Sequence, residues 1–222
     1  MKIAAHNLTF ILGNFLSGLW EACFPVHNIP RFNGPDIFKK KVEITMMNLN
    51  IRKATLEDVA AVAGIYNKLH ALEEAGLVSI GWDSRVYPIR TTAIKALEDD
   101  TLYVMTMDDE VVASAIINQE QPSAYSSVEW TFPADDSKVG ILHTLVVDPD
   151  SGGRGFGKIF VSFFEKYCKE RGYEVVRLDT QVKNTRPFNM YPMLGYRLAG
   201  ICETKFQNLP DTVDLAMFEK KL

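Results

Sequence analysis

The sequence contains little cysteine, and none of it is spaced as metal sites or disulfide frameworks require. Its three cysteines, Cys23, Cys168 and Cys202, are odd in number and far apart, with no CxxC pair among them. Zinc sites and disulfide-rich folds depend on closely or regularly spaced cysteines. We therefore expect no bound metal, reduced thiols and a cytoplasmic protein.

Long apolar runs and an excess of basic residues are also missing. No stretch approaches the ~18 consecutive apolar residues of a membrane-spanning helix, so no membrane association is expected. The formal net charge is −4, whereas proteins that bind nucleic acid usually carry a basic face, so we expect no nucleic-acid partner. The mild acidity would suit a cationic substrate, although a solvated acidic surface is the commoner explanation.

What is present is the composition of a globular protein, with 47% hydrophobic and 23% charged residues. Residues 1–48 are apolar only in short pieces that polar side chains interrupt. They are expected to form an N-terminal appendage of uncertain role. The pattern becomes regular from Leu49 onward, so we expect a single domain over residues 49–222.

The hydrophobic periodicity of that domain predicts alternating runs of strands and helices. A capping-box sequence, Thr55-Leu56-Glu57-Asp58, precedes the first helix. Strands are predicted over 49–54, 102–107, 111–118, 139–147, 174–182, 196–204 and 213–219, and helices over 59–76, 92–98, 155–171 and 186–194. The resulting order, β-α-α-β-β-β-α-β-α-β-β, indicates a mixed α/β sandwich of one sheet and flanking helices.

A glycine-rich turn, Gly152-Gly153-Arg154-Gly155-Phe156-Gly157-Lys158, follows the strand that ends at Val147 and opens a helix. Unpaired backbone N–H groups and the helix dipole make such a turn an anion site. A Walker A loop would need Ser or Thr where Ile159 stands, and a dinucleotide-binding GxGxxG would need Gly where Lys158 stands. The alternative is that this turn is only a flexible loop that binds nothing.

The segment from Ile141 to Tyr196 resembles the GNAT superfamily of N-acetyltransferases. Its turn is similar to that family's pyrophosphate loop, Q/R-x-x-G-x-G/A, although Gly152 replaces the first residue. The later segment RLDTQVKNTRPFNMYPMLGY resembles the family pattern N-x-x-A-x-x-x-Y-x-x-x-G-F/Y, with Asn184 and Tyr191 in matching positions. Pro187 replaces the usual alanine, and Pro192 could kink the helix. Weaker resemblance extends back to Leu49.

This resemblance implies an α/β fold of GNAT type: a mixed, mostly antiparallel central sheet flanked by helices. In it, a splayed pair of parallel strands forms the acetyl-CoA cleft. It also implies that acetyl-CoA is the cosubstrate, that the acetyl group passes directly from the CoA thioester to a primary amine, and that the protein can form a homodimer. We expect the amine to belong to a small molecule.

The resemblance further implies which residues hold acetyl-CoA. The backbone of Leu145, Val146 and Val147 would line the pantetheine arm, and an N–H group near Leu145 would polarise the thioester carbonyl. Asn184 would position the cosubstrate through its side-chain amide. The pyrophosphate would lie on the turn formed by Gly152, Gly153, Arg154, Gly155, Phe156, Gly157 and Lys158.

Proton transfer needs a base for the amine and an acid for the departing thiolate. Tyr191 matches the family's general-acid position. The base stays open between His143, Asp179 and a water relay. Strand alternation predicts that His143 shares a face with Leu145 and Val147.

The acceptor pocket is expected from three variable regions. These are the segment from Trp82 to Tyr87, the loop with Tyr125, Trp130 and Phe132, and the loop from Phe206 to Asp211. Two other classes stay in view, a catalytically inactive CoA-binding module of the same fold and a P-loop-like nucleotide-binding protein.

Overall fold

The computed structural model describes residues 48–205 and 212–222. The predicted N-terminal appendage, apart from Asn48, and the predicted acceptor loop from Phe206 to Asp211 lie outside the described residues. None of the described helices has both the length and the apolar character needed to cross a bilayer.

Every predicted strand and helix is present, with boundaries within about two residues of the prediction. The strands are β1 (Leu49–Lys53), β2 (Leu102–Met107), β3 (Glu110–Asn118), β4 (Val139–Val147), β5 (Val175–Gln181), β6 (Arg197–Thr204) and β7 (Val213–Lys221). The helices are α1 (Val59–Glu74), α2 (Arg90–Glu98), α3 (Phe156–Glu170) and α4 (Thr185–Met193).

The strands form one seven-stranded sheet in the order β1-β2-β3-β4-β5-β7-β6. All neighbouring strands are antiparallel except β4 and β5, which are parallel. The predicted fold class, a mixed and mostly antiparallel sheet with one parallel pair and flanking helices, is confirmed.

Helices cover the sheet because their apolar residues recur at helical spacing. Phe156, Phe160 and Phe164 of α3 pack in one core cluster with residues from β2, β3 and β5. Val59 and Tyr66 of α1 pack with α2 in a second cluster. Full burial of a side chain of this size contributes about 1.5–3 kcal/mol, so the two clusters fix both layers on the sheet.

The first helix begins as its sequence predicts. The Asp58 carboxylate accepts hydrogen bonds from the backbone N–H of Thr55 at 2.7 Å and from its hydroxyl at 3.0 Å. Arg52 of β1 donates two further bonds to the same carboxylate, at 2.7 and 2.9 Å. The capping box therefore also ties α1 to the edge strand of the sheet.

The parallel strands β4 and β5 pair over only part of their length. Their register runs from Val139 opposite Val175 to Leu142 opposite Leu178. Beyond that point β4 continues to Val147 and β5 to Gln181, each paired only with its antiparallel neighbour. The predicted separation of a parallel pair is confirmed, and it opens a gap in the middle of the sheet.

A bulge at Thr144 lies at the start of this gap. His143 is opposite Ile116 and Val146 is opposite Ser114, so β4 takes three steps where β3 takes two. Thr144 has a φ of 51°, a conformation that β-branched residues rarely adopt. Strain of this kind costs about 1–3 kcal/mol and is typical of functional sites.

Two buried charged residues hold the long β3–β4 loop on the sheet. Arg177 of β5 and Glu219 of β7 are cross-strand neighbours, and both are buried. The Glu219 carboxylate accepts from the backbone N–H groups of Thr131 at 2.8 Å and Phe132 at 3.1 Å. The Arg177 guanidinium stacks over the Trp130 ring at 4.1 Å. The loop is therefore fixed by specific polar contacts.

We predict that Glu219→Gln lowers the free energy of unfolding by about 1–3 kcal/mol, because an amide has one acceptor oxygen and leaves one loop N–H unsatisfied. Chemical denaturation measures the change. The matched control is Glu170→Gln, whose side chain is exposed at the end of α3 and should change stability by less than about 0.5 kcal/mol. Equal effects of the two substitutions would contradict the role of Glu219.

Candidate active site

A cavity of about 470 Å³ lies where β4 and β5 separate. Strand β4 contributes Leu142, His143 and Thr144, and β5 contributes Asp179, Thr180 and Gln181. The remaining lining comes from Asn184 at the start of α4, from Leu215, from Pro122 and from the segment that follows α1. The gap in the sheet is therefore the centre of a partly open site with polar and apolar walls.

That segment, residues 80–88, forms a strap across the cavity. Glu73 of α1 accepts hydrogen bonds from the backbone N–H groups of Ile80 at 3.0 Å, of Trp82 at 3.2 Å and of Gly81. Gln181 of β5 donates to the Gly81 carbonyl at 2.7 Å. The predicted pocket segment from Trp82 to Tyr87 thus lines the cavity.

Only glycine fits at position 81 of the strap. Its φ is +86°, and a Cβ there would lie 1.7 Å from Oε1 of Gln181. On the other side of the cavity, the Tyr87 hydroxyl hydrogen-bonds to the hydroxyl of Thr144. The strap is therefore attached to both strands that border the gap.

Among the titratable groups that line this cavity, Asp179 has the pKa nearest to neutral pH. The hydroxyl of buried Tyr125 donates to Oδ2 of Asp179 at 2.9 Å, and among the described residues no donor reaches Oδ1. Burial raises the pKa of Asp179 to about 6, although the Tyr125 bond opposes the shift. The carboxylate can therefore exchange a proton near neutral pH and keeps one oxygen free for a ligand.

His143 also lines the cavity, but its environment differs. Its Nε2 lies 2.9 Å from Oδ1 of Asn118, and the same oxygen accepts from the Glu120 backbone N–H at 3.0 Å. Because that oxygen is an acceptor, Nε2 of His143 must be the donor. Burial lowers the pKa of His143 to about 4. The imidazole is therefore neutral and weakly basic at pH 7.

The predicted shared face of His143, Leu145 and Val147 is wrong. Leu142, Leu145 and Val147 all pack toward the cluster that contains α3, whereas Ile141, two residues before His143, packs in a different cluster. The bulge at Thr144 reverses the alternation, because its extra residue shifts every later side chain to the other face.

Tyr191 lies on α4 and is buried, with 4% of its surface exposed. Its ring packs against Tyr196 and Phe218, with centroids 5.8 and 5.5 Å apart. Burial, together with the nearby charge of Asp179, raises the pKa of Tyr191. The ring is thus close to Asp179, but Tyr191 is not among the residues that line the cavity.

The two prolines of α4 lie near its ends. Pro187 is in the first turn, where backbone N–H groups have no helical partner in any case. Pro192 is followed by only one more helical residue, Met193. The predicted effect of Pro192 is therefore limited to the last turn, where the helix ends.

The glycine-rich turn has unpaired backbone N–H groups among the described residues. Gly153 and Gly155 have φ of +78° and +82°, and α3 begins at Phe156. Among the described residues, no protein acceptor pairs with the backbone N–H groups from Gly153 to Lys158. The exposed side chains of Arg154 and Lys158 lie on the same turn. These N–H groups and the positive end of the helix dipole can bind a phosphate.

Neighbouring residues of β4 and α4 lie between the turn and the cavity. Gly157 lies beside Val147 at the end of β4 and beside Met190 of α4, with a Cβ position 3.9 and 3.7 Å from their side chains. Asn184, at the start of the same helix α4, lines the cavity. The stretch Leu145–Val147 joins the turn and the cavity, as expected for an elongated ligand with a diphosphate at one end and a reactive group at the other.

Three features of the site were not predicted from sequence. These are the bulge at Thr144, the bond from Tyr125 to Asp179 and the tie from Gln181 to the strap. Positive φ at a threonine has no sequence signal, and the other two contacts join residues far apart in the chain. Tyr125 was predicted only as a pocket aromatic.

We predict that Asp179→Asn stabilises the protein more at pH 8 than at pH 4.5. The pKa of Asp179 is raised in the folded state, so its contribution to stability is largest at low pH and falls as pH rises through about 4 to 6. Asparagine carries no charge at either pH and avoids this loss. Melting temperatures at the two pH values measure the difference.

The control for that measurement is Asp214→Asn, at an exposed position of β7, which should give the same change in melting temperature at both pH values. A change for Asp179→Asn that is independent of pH would contradict the raised pKa.

Comparisons with known proteins agree with this geometry. Residues 62–196 match the acetyltransferase (GNAT) family. An uncharacterized N-acetyltransferase of Methanocaldococcus jannaschii, MJ1207, is 33% identical over 67 residues, which are 30% of this chain and 30% of that protein. The match thus spans less than a third of this relative.

Solved structures share the fold at low identity. A GNAT-family acetyltransferase from Streptococcus agalactiae superposes with a TM-score of 0.62 at 18% identity, over 78% of this chain and 95% of its own. The ribosomal-protein-S18-alanine N-acetyltransferase of Escherichia coli gives 0.55 at 15% identity, over 78% and 93%. A Salmonella typhimurium protein assigned as an acetyltransferase and solved with its cofactor acetyl-CoA gives 0.59 at 18%, over 78% and 94%. With the family match over most of its described length, this chain belongs to the acetyltransferase (GNAT) family.

Proposed function

We propose that the protein transfers the acetyl group of acetyl-CoA directly to the primary amine of a small molecule. The observation that carries the proposal is the juxtaposition of two features along β4. A turn with unpaired backbone N–H groups lies at the end of the strand, and a half-buried carboxylate with a pKa of about 6 lies across the gap from its start.

The turn suits the pyrophosphate of acetyl-CoA. Its N–H groups from Gly153 to Lys158 point to no protein acceptor among the described residues, and Arg154 and Lys158 add positive charge. Since Gly152 offers no side chain, we propose that the phosphates are held mainly by backbone N–H groups. Asn184 would then position the cosubstrate where it enters the cavity.

The end of β4 suits the arm and the thioester. The bulge at Thr144 breaks the ladder with β3, and a bulged residue leaves backbone groups without strand partners. We propose that the backbone of Leu145, Val146 and Val147 lines the arm and that an N–H group near Leu145 polarises the thioester carbonyl. Acetyl-CoA, when bound, supplies the acetyl group as this thioester.

Asp179 is the better general base of the two candidates. A base works best when its pKa lies near the operating pH, and the pKa of Asp179 is about 6 whereas that of His143 is about 4. The free Oδ1 would accept the proton from the attacking amine, while Tyr125 holds Oδ2. We propose that neutral His143 shapes the cavity and holds Asn118.

The proton for the departing thiolate has two candidate donors. We propose Tyr191, in agreement with its spacing from Asn184, because its raised pKa keeps the hydroxyl protonated. Tyr87 is the alternative, since it lines the cavity and contacts Thr144 at the gap. In either case the new C–N bond forms as the C–S bond breaks, and the sulfur leaves protonated.

A small-molecule acceptor is supported by the strap. It crosses the cavity and is attached to α1 through Glu73 and to β5 through Gln181. The Escherichia coli relative acts on ribosomal protein S18, so the fold itself does not select small molecules. The alternative function is a CoA-binding module without turnover. The activity measurements below distinguish it from an enzyme.

We predict that Gly155→Ala lowers acetyl-CoA affinity at least about tenfold, because a side chain in the left-handed region costs 1–2 kcal/mol and shifts the backbone donors. Calorimetric titration measures the affinity. Gly76→Ala is the matched control, since Gly76 also has positive φ, +69°, and nothing within 4 Å of its Cβ position. Equal losses of affinity in both variants would contradict the pyrophosphate site.

We predict that Asp179→Asn lowers kcat about 10²–10⁴-fold, whereas His143→Gln has a much smaller effect. In the wild type, kcat/KM should rise with pH through about 6, because the base must be deprotonated. That limb should disappear in the Asp179 variant. A normal pH profile in Asp179→Asn, or a larger loss in His143→Gln, would contradict the assignment of the base.

A further inference from the structure

The charges around the cavity indicate what kind of amine it accepts. Among the described lining residues, Asp83 and Asp179 carry carboxylates and none is a lysine or arginine. This one-sided set can recognise ammonium groups. The number of ammonium groups it recognises depends on whether each carboxylate is free of a cationic partner within the protein.

Asp83 is already paired within the strap. Arg85 donates from Nε to Oδ1 at 3.0 Å and from Nη2 to Oδ2 at 2.7 Å, and its backbone N–H donates to Oδ1 at 2.9 Å. These bonds lower the pKa of Asp83 to about 2. Both of its oxygens are engaged by a cation, so Asp83 offers a ligand no uncompensated charge.

Asp179, in contrast, has only a neutral protein donor, the hydroxyl of Tyr125. It is therefore the single uncompensated carboxylate among the described residues of the cavity. One such charge can hold one amine, which is the amine that reacts. A second ammonium on the acceptor would be taken out of water without an opposite charge to meet it.

Binding of an acidic group on the acceptor would also be unfavourable. The cavity offers no described cation, and neutral His143 adds no positive charge, because its pKa is about 4. A carboxylate or phosphate would lie among Ile80, Trp82, Val86, Leu142 and Leu215. A site rejects a charged group most strongly when burial leaves that group unpaired.

We propose that the acceptor is a primary monoamine with an apolar or aromatic body and no acidic group. This rests on the proposed acetyl transfer and names its substrate class. The ammonium is recognised by Asp179, the body packs against Trp82 and the aliphatic side chains, and the strap limits the length of the molecule.

The test compares amines that differ by one charged group. Phenethylamine is paired with phenylalanine, which adds a carboxylate, and hexylamine with hexane-1,6-diamine, which adds an ammonium. CoA release gives kcat/KM for each amine. We expect each monoamine to exceed its charged counterpart by at least about tenfold. Equal or higher kcat/KM for phenylalanine or the diamine would overturn the substrate class and leave acetyl transfer intact.

The variant Arg85→Ala tests the charge argument itself. The Arg85 side chain is 82% exposed, so its removal should leave the fold intact while it frees Asp83. We expect the ratio of kcat/KM for the diamine over hexylamine to rise about tenfold. Ser84→Ala, a neighbouring exposed position of the strap, is the control and should leave the ratio unchanged. An unchanged ratio in Arg85→Ala would overturn the account of Asp83.

Failure of acetyl transfer itself has a different signature. It would show as no CoA release with any of the four amines although calorimetric titration shows that acetyl-CoA binds. That result would overturn the proposed function and this inference with it.

Discussion

The pairing of β4 with β5 ends after four residue pairs, and the site depends on this interruption. Up to Leu142 and Leu178 the parallel strands are hydrogen-bonded; beyond them both strands continue with a gap between. The bulge at Thr144 occurs at the same level, so backbone groups leave the β3 ladder where the gap begins. The glycine-rich turn, the strap and Asp179 are each placed relative to this gap. An intact parallel pair would close the cavity and separate the turn from the carboxylate.

Stability is reduced locally to maintain this arrangement. Thr144 is held in a strained conformation, and half-buried Asp179 has no cationic partner among the described residues. Other contacts offset these costs: two packed helical layers, the Thr55–Asp58 cap and the bonds from the β3–β4 loop to buried Glu219. The bonds to Glu219 also have a functional consequence, since they fix the loop that carries Tyr125 to Asp179. Backbone strain and an uncompensated charge are thus found at the site, while the helices and strands of the rest of the domain follow their sequence patterns.

Most of the fold could be predicted because its signals are local. The four-residue apolar repeat of α3, the cap before α1 and the glycine turn each act over a few residues, and all three are found where expected. The face of His143 could not be predicted, because a bulge depends on the neighbouring strand and not on the residues of β4 alone. The preference for Asp179 over His143 as the base rests on burial, and the donor that holds Asp179 in place, Tyr125, lies 54 positions away in sequence. The strap looked irregular in sequence because, besides its local bonds around Asp83, its order depends on Glu73 and Gln181, which lie outside it.

The central claim is that one ligand extends from the glycine-rich turn to the gap between β4 and β5. Backbone amide NMR during a titration with acetyl-CoA tests it most directly. The account predicts saturable shifts, with one common affinity, for the amides of Gly153 to Lys158 and for those of Thr144 to Val147. Saturable binding that shifts other amides and leaves both of these stretches unchanged would contradict it.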